Sequence, residues 1–405
     1  VFNYDNTVTL RRTRKQNIPQ ELQMHPSLVS PLNYTELKPQ RSPSDPYVLC
    51  WCSSGKKWKF CHKLRESEPE IHVREYQRLV RKNYDQGRCL HPSAGPDTCA
   101  ARAINSHTIQ MNGGISTISE KQHVYTFKLV PSMDGDIFQP CKISVRKAST
   151  FLGFCNKHDT ALFKPIETPT VLIGQETAFY MAYRAISYEY HGKQRAIAAT
   201  PFMVLQDRGQ PFEIQAYIQN YVHISTQGYN TGFRTHEKLK KNYDSAHLNK
   251  EYSKFKYFAI EFDSPSPIVA CGAFCPEFDI NDVPLQELSR GTIDFQVIAF
   301  NLLNLNGKSY AVFGWLDDPF EVAANYIESI KKHPRNLLSD LIVRISFQNL
   351  ENTYVSPAWW DNLDIDQQQS ICELCRTGVG PIPKTAESLH TKISLWPQSA
   401  TQILP

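Results

Sequence analysis

The sequence predicts an α+β fold in which two small modules rich in cysteine and histidine precede a mostly helical segment and an antiparallel α+β C-terminal domain. Three observations lead there. Cysteines and histidines concentrate in two groups, Cys50 to His62 and Cys89 to His158. Apolar residues between Gln175 and Tyr190 (Phe179, Ala182, Tyr183, Ile186, Tyr190) recur at helical spacing. Past residue 254, short apolar runs alternate with turn signals such as Asn306-Gly307, whose residues tolerate the positive φ of a tight hairpin.

A chain of 405 residues exceeds what one core usually supports, so two or three domains are expected. The formal net charge of +4 is too small to demand a polyanionic partner. Its distribution is uneven, with Arg11, Arg12, Arg14, Lys15, Lys56, Lys57, Lys59, Lys63 and Arg65 near the start. Such a stretch either meets phosphate or forms a solvated face. Neither a long apolar run nor a charged-then-apolar leader occurs, which predicts a cytoplasmic protein without a membrane partner. In a reducing compartment, eleven cysteines point to metal binding more than to disulfides. No motif speaks to oligomeric state.

Taken in order, residues 1–46 form an extended, basic arm, interrupted by Pro19, Pro26, Pro31, Pro39, Pro43 and Pro46. The first module occupies 47–64. A helical linker fills 65–87, its charged helix (66–83) carrying a partial apolar stripe of Ile71, Tyr76, Leu79 and Val80. The second module, 88–170, contains a strand or hairpin around Val124 to Val130. In the mostly helical region, 171–253, the first helix should be buried, whereas Glu237 to Glu251 is charged enough to predict an exposed one. Within 254–405, strands are expected at Phe255 to Phe262, Ile268 to Phe274, Ile293 to Val297 and Tyr310 to Trp315. Helices should start at Asp318-Pro319, with Phe320, Ala323, Tyr326, Ile327 and Ile330 as the apolar face, and at Ser356-Pro357.

The chemistry lies in the two modules. Cys50, Cys52, Cys61 and His62 place four soft donors around a glycine turn, as a closed tetrahedral zinc site requires. Further along, Cys155-x2-His158 has zinc-knuckle spacing, and Cys89 with Cys99 supplies an upstream pair. Two structural Zn²⁺ sites follow. His107 is either a second-site ligand in place of Cys99, a hydrogen-bonded core histidine, or a functional group.

The run Cys50, Cys52, Gly55, Lys56, Lys57, Cys61, His62 resembles the SEC-C motif, a small zinc-binding module of many bacterial proteins. The resemblance implies that Lys56, Lys57 and Lys59 lie on a contact surface for nucleic acid, or for a protein or ribosome in a non-enzymatic adaptor. The segment from Cys89 to Asp159 resembles the treble-clef core of HNH endonucleases: upstream ligands, a strand with His107, the Gly113-Gly114 turn, and a ligand pair opening a helix. That resemblance implies phosphodiester hydrolysis with His107 as general base, Asp159 holding Mg²⁺ or Mn²⁺, Asn156, Asn105 or Asn112 orienting the base, and Lys157 steadying the backbone. Ser106 stands where the family usually has an acid or histidine. By analogy with other HNH proteins, the expectation extends to antiviral defence against foreign DNA.

Other clusters have plainer explanations. Cys271-x3-Cys275 and Cys372-x2-Cys375 are expected to pack in the core, with a third zinc across them as the alternative. Trp315, Phe347, Tyr354, Trp359 and Trp360 read as core aromatics. Phosphate-binding loops, dinucleotide fingerprints and the Gly-x-Ser-x-Gly elbow are absent.

Overall fold

A computed structural model describes residues 35–84, 87–100, 102–111, 114–130, 137–167, 171–288, 295–317, 319–377 and 384–404. Most of the proline-rich arm, Asn112, Gly113, Ile293 and Asp318 lie outside them. Helix α1 spans Val73–Tyr84; strands β1 (Ala103–His107), β2 (His123–Val130), β3 (Ile137–Ser144) and β4 (Thr150–Cys155) follow, and β4 runs directly into α2 (Asn156–Phe163). Two long helices, α3 (Gln175–Met203) and α4 (Phe212–Asn249), form an antiparallel-connected pair in the middle of the chain. The last part holds β5 (Phe255–Phe262), β6 (Ile268–Phe274), β7 (Ile298–Leu305), β8 (Lys308–Leu316), α5 (Val322–Lys331), α6 (Leu338–Asn349), β9 (Thr353–Val355), α7 (Pro357–Asp361), α8 (Ile365–Arg376) and β10 (Ala400–Leu404).

Eight strands make one sheet in the order β10-β5-β8-β7-β6-β9-β2-β3, and β1 pairs with β4 in a separate two-stranded sheet. All pairings are antiparallel. Both faces of the large sheet are covered. Phe258, Ile260, Phe262, Phe300 and Phe313 pack with α5 and α6 residues such as Ile327 and Ile342. On the other face Ala259, Val269, Ala299 and Val312 pack with Phe179, Ala182, Tyr183 and Ile186 of α3. Double burial explains why β6 and β7 are near-continuous apolar runs rather than alternating ones.

Hairpin β2–β3 joins this sheet through a bridge between Tyr125 and Val355, so one sheet draws strands from both 88–170 and 254–405. Asn306 and Gly307, at φ of 51° and 78°, close the β7–β8 hairpin in the left-handed conformation anticipated for them. Trp315, Phe347, Tyr354 and Trp360 are buried, and Trp359 is packed against the core.

Some elements differ from expectation. The first helix begins at Val73, because Arg65–Ser67 turns as a short 3-10 segment; its Tyr76 and Val80 lie against Ala199 of α3. β7 begins at Ile298, past the stretch anticipated from Ile293. α5 starts at Val322 after a left-handed Glu321, which leaves Phe320 outside the helix and exposed. The expected exposed helix after residue 235 is the end of α4, where Thr235, His236, Lys240 and Tyr243 are buried. Its charges mislead because Lys240 and Asp244, one turn apart, neutralise each other inside.

Candidate metal centres and the buried polar residues beside them

The first centre is built by a loop that folds on itself. Cys50 N–H donates to Lys56 O (2.8 Å) and Trp58 N–H to Val48 O (2.8 Å), while Gly55 turns the chain at φ 73°. Cys61 and His62 then follow a 3-10 turn whose Trp58 is buried. Cys50 Sγ lies 3.2 Å from His62 Nδ1 and Cys52 Sγ 3.6 Å from Cys61 Sγ. Tetrahedral zinc, with bonds of about 2.0–2.3 Å, spaces its ligands about 3.3–3.8 Å apart. All four donor atoms lie within 4.8 Å of one another.

A partner from far along the chain orients the histidine. His62 Nε2 faces Asp207 Oδ2 at 3.0 Å, so Nε2 carries the proton and Nδ1 is left for a metal. Asp207 is fully buried, and it also accepts from Arg65 Nε (2.6 Å) and Gln219 Nε2 (2.5 Å). Because Asp207 sits in the α3–α4 connection and Gln219 on α4, the centre is anchored to one end of the helical pair.

The second centre gathers distant residues. Sγ atoms of Cys89, Cys99 and Cys155 lie 3.4, 3.6 and 3.3 Å from His158 Nδ1. These four donors again fall within 4.8 Å, and His107 is not among them. Cys155 caps α2, placing His158 in the first turn, and Cys155 N–H donates to Cys89 Sγ (3.3 Å). His91 stacks on His158 at 4.1 Å between ring centres. Here too α4 provides the anchor: Lys240 Nζ donates to Leu90 O at 2.8 Å, and His247 meets His91 edge to face.

Both groups therefore have the donor set, spacing and closed geometry of structural zinc sites. Among the described residues no other such group is found; Cys271 is buried and Cys275, Cys372 and Cys375 pack against the core as thiols. No described helix is long and apolar enough to cross a membrane.

Beside the second centre lies a group of buried polar side chains. His107 ends β1, opposite Thr150, and its Nε2 approaches Val145 O at 3.4 Å. Burial holds the imidazole below its ordinary pKa; the Val145 carbonyl opposes that, Arg184 adds to it, and Asp159 and Glu167 counter it. Asp159, Arg184 and Glu167 are thus its electrostatic neighbours. Ser106 approaches Asp159, yet Ser106 Oγ, Asp159 Oδ1 and Arg184 Nε are buried without a partner of hydrogen-bonding geometry. Buried polar atoms normally find partners, and these three are left without one. Arg184 is only 2% exposed, donates to Glu167 Oε1 (2.6 Å) and lies over the Phe163 ring.

Of the other anticipated residues, Asn105, Asn156 and Lys157 are exposed, as are Lys56 and Lys57 on the first module, with Lys59 half-buried beside them. Glu167, Arg184, Asp207 and Lys240 escape motif reasoning. Arg184 leaves one signal, a lone charge in the apolar run from Ala178 to Ile186; Asp207 leaves none, since nothing local ties it to His62. No protein-family model, no curated protein and no solved structure matches this chain.

Proposed function

We propose that this chain is a zinc-stabilised phosphodiesterase of the HNH kind that acts on nucleic acid, with His107 as its general base. The arrangement of β1, β4 and α2 carries this reading: an antiparallel pair runs straight into a helix opened by two zinc-site ligands, and Asp159 of that helix lies close enough to His107 to act on its charge. The carbonyl of Val145 can only accept, so the imidazole keeps its proton on Nε2 and offers the Nδ1 lone pair to water. Burial keeps that lone pair free at neutral pH. Asp159 Oδ1, with the half-exposed Glu167 alongside, fits one Mg²⁺ or Mn²⁺ ion. When bound, such an ion supplies neutralisation of the charge that grows on the phosphate. Arg184 is too deep to touch substrate, and it holds Glu167 in place.

The test is a nuclease assay on plasmid, single-stranded DNA and RNA with Mg²⁺ or Mn²⁺, with zinc measured on the same samples. His107→Ala is expected to retain two zincs per chain and lose cleavage by about 100-fold or more. Cleavage that persists in the variant eliminates the proposed base. Since the imidazole must be neutral, activity should fall only as pH drops through its lowered pKa, with the acid limb below about 6.5. A non-enzymatic adaptor docking on a protein or ribosome is the second reading, favoured by the exposed apolar side chains of the first module. Two zincs without cleavage on any substrate would support it.

A further inference from the structure

The first metal centre carries a surface that its zinc site does not use. Tyr47 (53% exposed), Leu49 (72%), Phe60 (69%) and Leu64 (66%) project from one small module, a density of exposed apolar side chains found nowhere else among the described residues. Lysines are interleaved with the rings. Lys59 Nζ lies 4.0 Å from the Tyr47 ring centre and 4.6 Å from that of Phe60, and Lys57 Nζ lies 5.4 Å from Tyr47. Leu49 bridges to Lys57, which brings its backbone into the same patch. Among the described residues Lys56, Lys57 and Lys63 form no ion pair, whereas two acids close in sequence are engaged elsewhere: Glu68 pairs with Arg65 and Arg208, and Asp45 accepts from Tyr47 N–H.

We infer that this surface binds a single-stranded polynucleotide, with bases stacked on Tyr47 and Phe60 and phosphates held by Lys56, Lys57 and Lys59. Rings interleaved with cations that have no acidic partner match the alternation of bases and phosphates, although Lys59 Nζ also donates to the Tyr47 hydroxyl (2.9 Å), and exposed rings can stack only on bases that are not already paired. A purely apolar partner would leave the lysines without counter-charges, and a duplex would leave the rings without contacts. The site also stands apart from His107. Gln219 and Lys240, which anchor the two centres, are separated by about 30 Å along α4. A strand held here and cut at His107 would span several nucleotides, so the module would measure substrate length as well as hold it. The inference rests on the proposed substrate class but not on cleavage.

The experiment is fluorescence anisotropy with labelled oligo-dT and oligo-U, a DNA duplex and a poly-glutamate peptide, using the full zinc-loaded chain with His107→Ala and no Mg²⁺. Both single strands should bind, and the duplex at least tenfold more weakly. Tyr47→Ala with Phe60→Ala should weaken single-strand binding at least tenfold without altering its salt dependence. Lys57→Gln with Lys59→Gln should weaken it and lower the slope of log affinity against log salt by about 1.4, two phosphate contacts at about 0.7 each. Zinc content should stay at two in every variant, since none of these side chains is a ligand. Single-strand binding that neither pair of changes affects overturns the inference, as does poly-glutamate binding in place of the oligonucleotides, which would assign the surface to an acidic protein. If binding follows these expectations while wild type cleaves nothing, the docking surface stands and the phosphodiesterase falls.

Discussion

Two centres with the same donors, three cysteines and one histidine, are built in opposite ways. In the first, Cys50 and His62 are 12 positions apart and a single loop supplies every ligand. In the second, Cys89 and His158 are 69 apart, and strands, a hairpin and α2 must be in place before the donors meet. By loop-closure entropy the second costs about 1.5 kcal/mol more to assemble. It also lies deeper, with Cys155 fully buried at the junction of β4 and α2. A local site can therefore be lost without the fold, whereas the other belongs to it.

Paired cysteine changes test that difference most strongly. Cys155→Ser should drop zinc from two per chain to one and abolish a single cooperative unfolding transition. Cys52→Ser should lose one zinc as well, yet leave slow amide exchange in β5 to β8 intact, because the loop is anchored through Asp207 to the end of the helical pair. Equal damage from both changes would erase the distinction. Next in size is Lys240→Met, which removes the donor to Leu90 O and leaves the largely buried Asp244 without its counter-charge, held only by the Tyr183 hydroxyl. About 3 kcal/mol should be lost, read as a lower urea midpoint with both zincs retained. Smallest is Asp207→Asn, which weakens the partner of His62 and should reduce zinc affinity about 10- to 100-fold at the first centre alone, measured by chelator competition. A loss at both centres would mean that α4 couples them.

Legibility follows the same division. The donors of each centre are sequence-local in whole or in pairs, so Cys-x-Cys, Cys-His and Cys-x2-His spacings make them readable. Strands β5 and β6 are readable for a similar reason, since β6 is an apolar run and β5 one interrupted only by Lys256 and Glu261, each bounded by turn residues. What escapes is whatever depends on a distant partner. Asp207 is one acid among many until the chain folds it against His62. Lys240 and Asp244 look like a solvated face because sequence shows their charges and not their pairing. The surroundings of His107 lie between these cases: His107 and Asp159 stand on motif-like positions, whereas Arg184 and Glu167 come from outside the motif.

The bridge from Tyr125 to Val355 has a consequence for how the chain is made. At roughly 5–20 residues per second, the ribosome delivers Val355 some 10–45 seconds after Tyr125. Throughout that interval the hairpin β2–β3 has no sheet to join, although every ligand of both centres has been translated once the chain passes His158, early in the wait. Metal bound at the second centre during synthesis would hold the ends of the hairpin together while its partners are still unmade. Zinc supply then matters most to the nascent chain, as an early clamp on a strand edge that waits for the rest of its sheet.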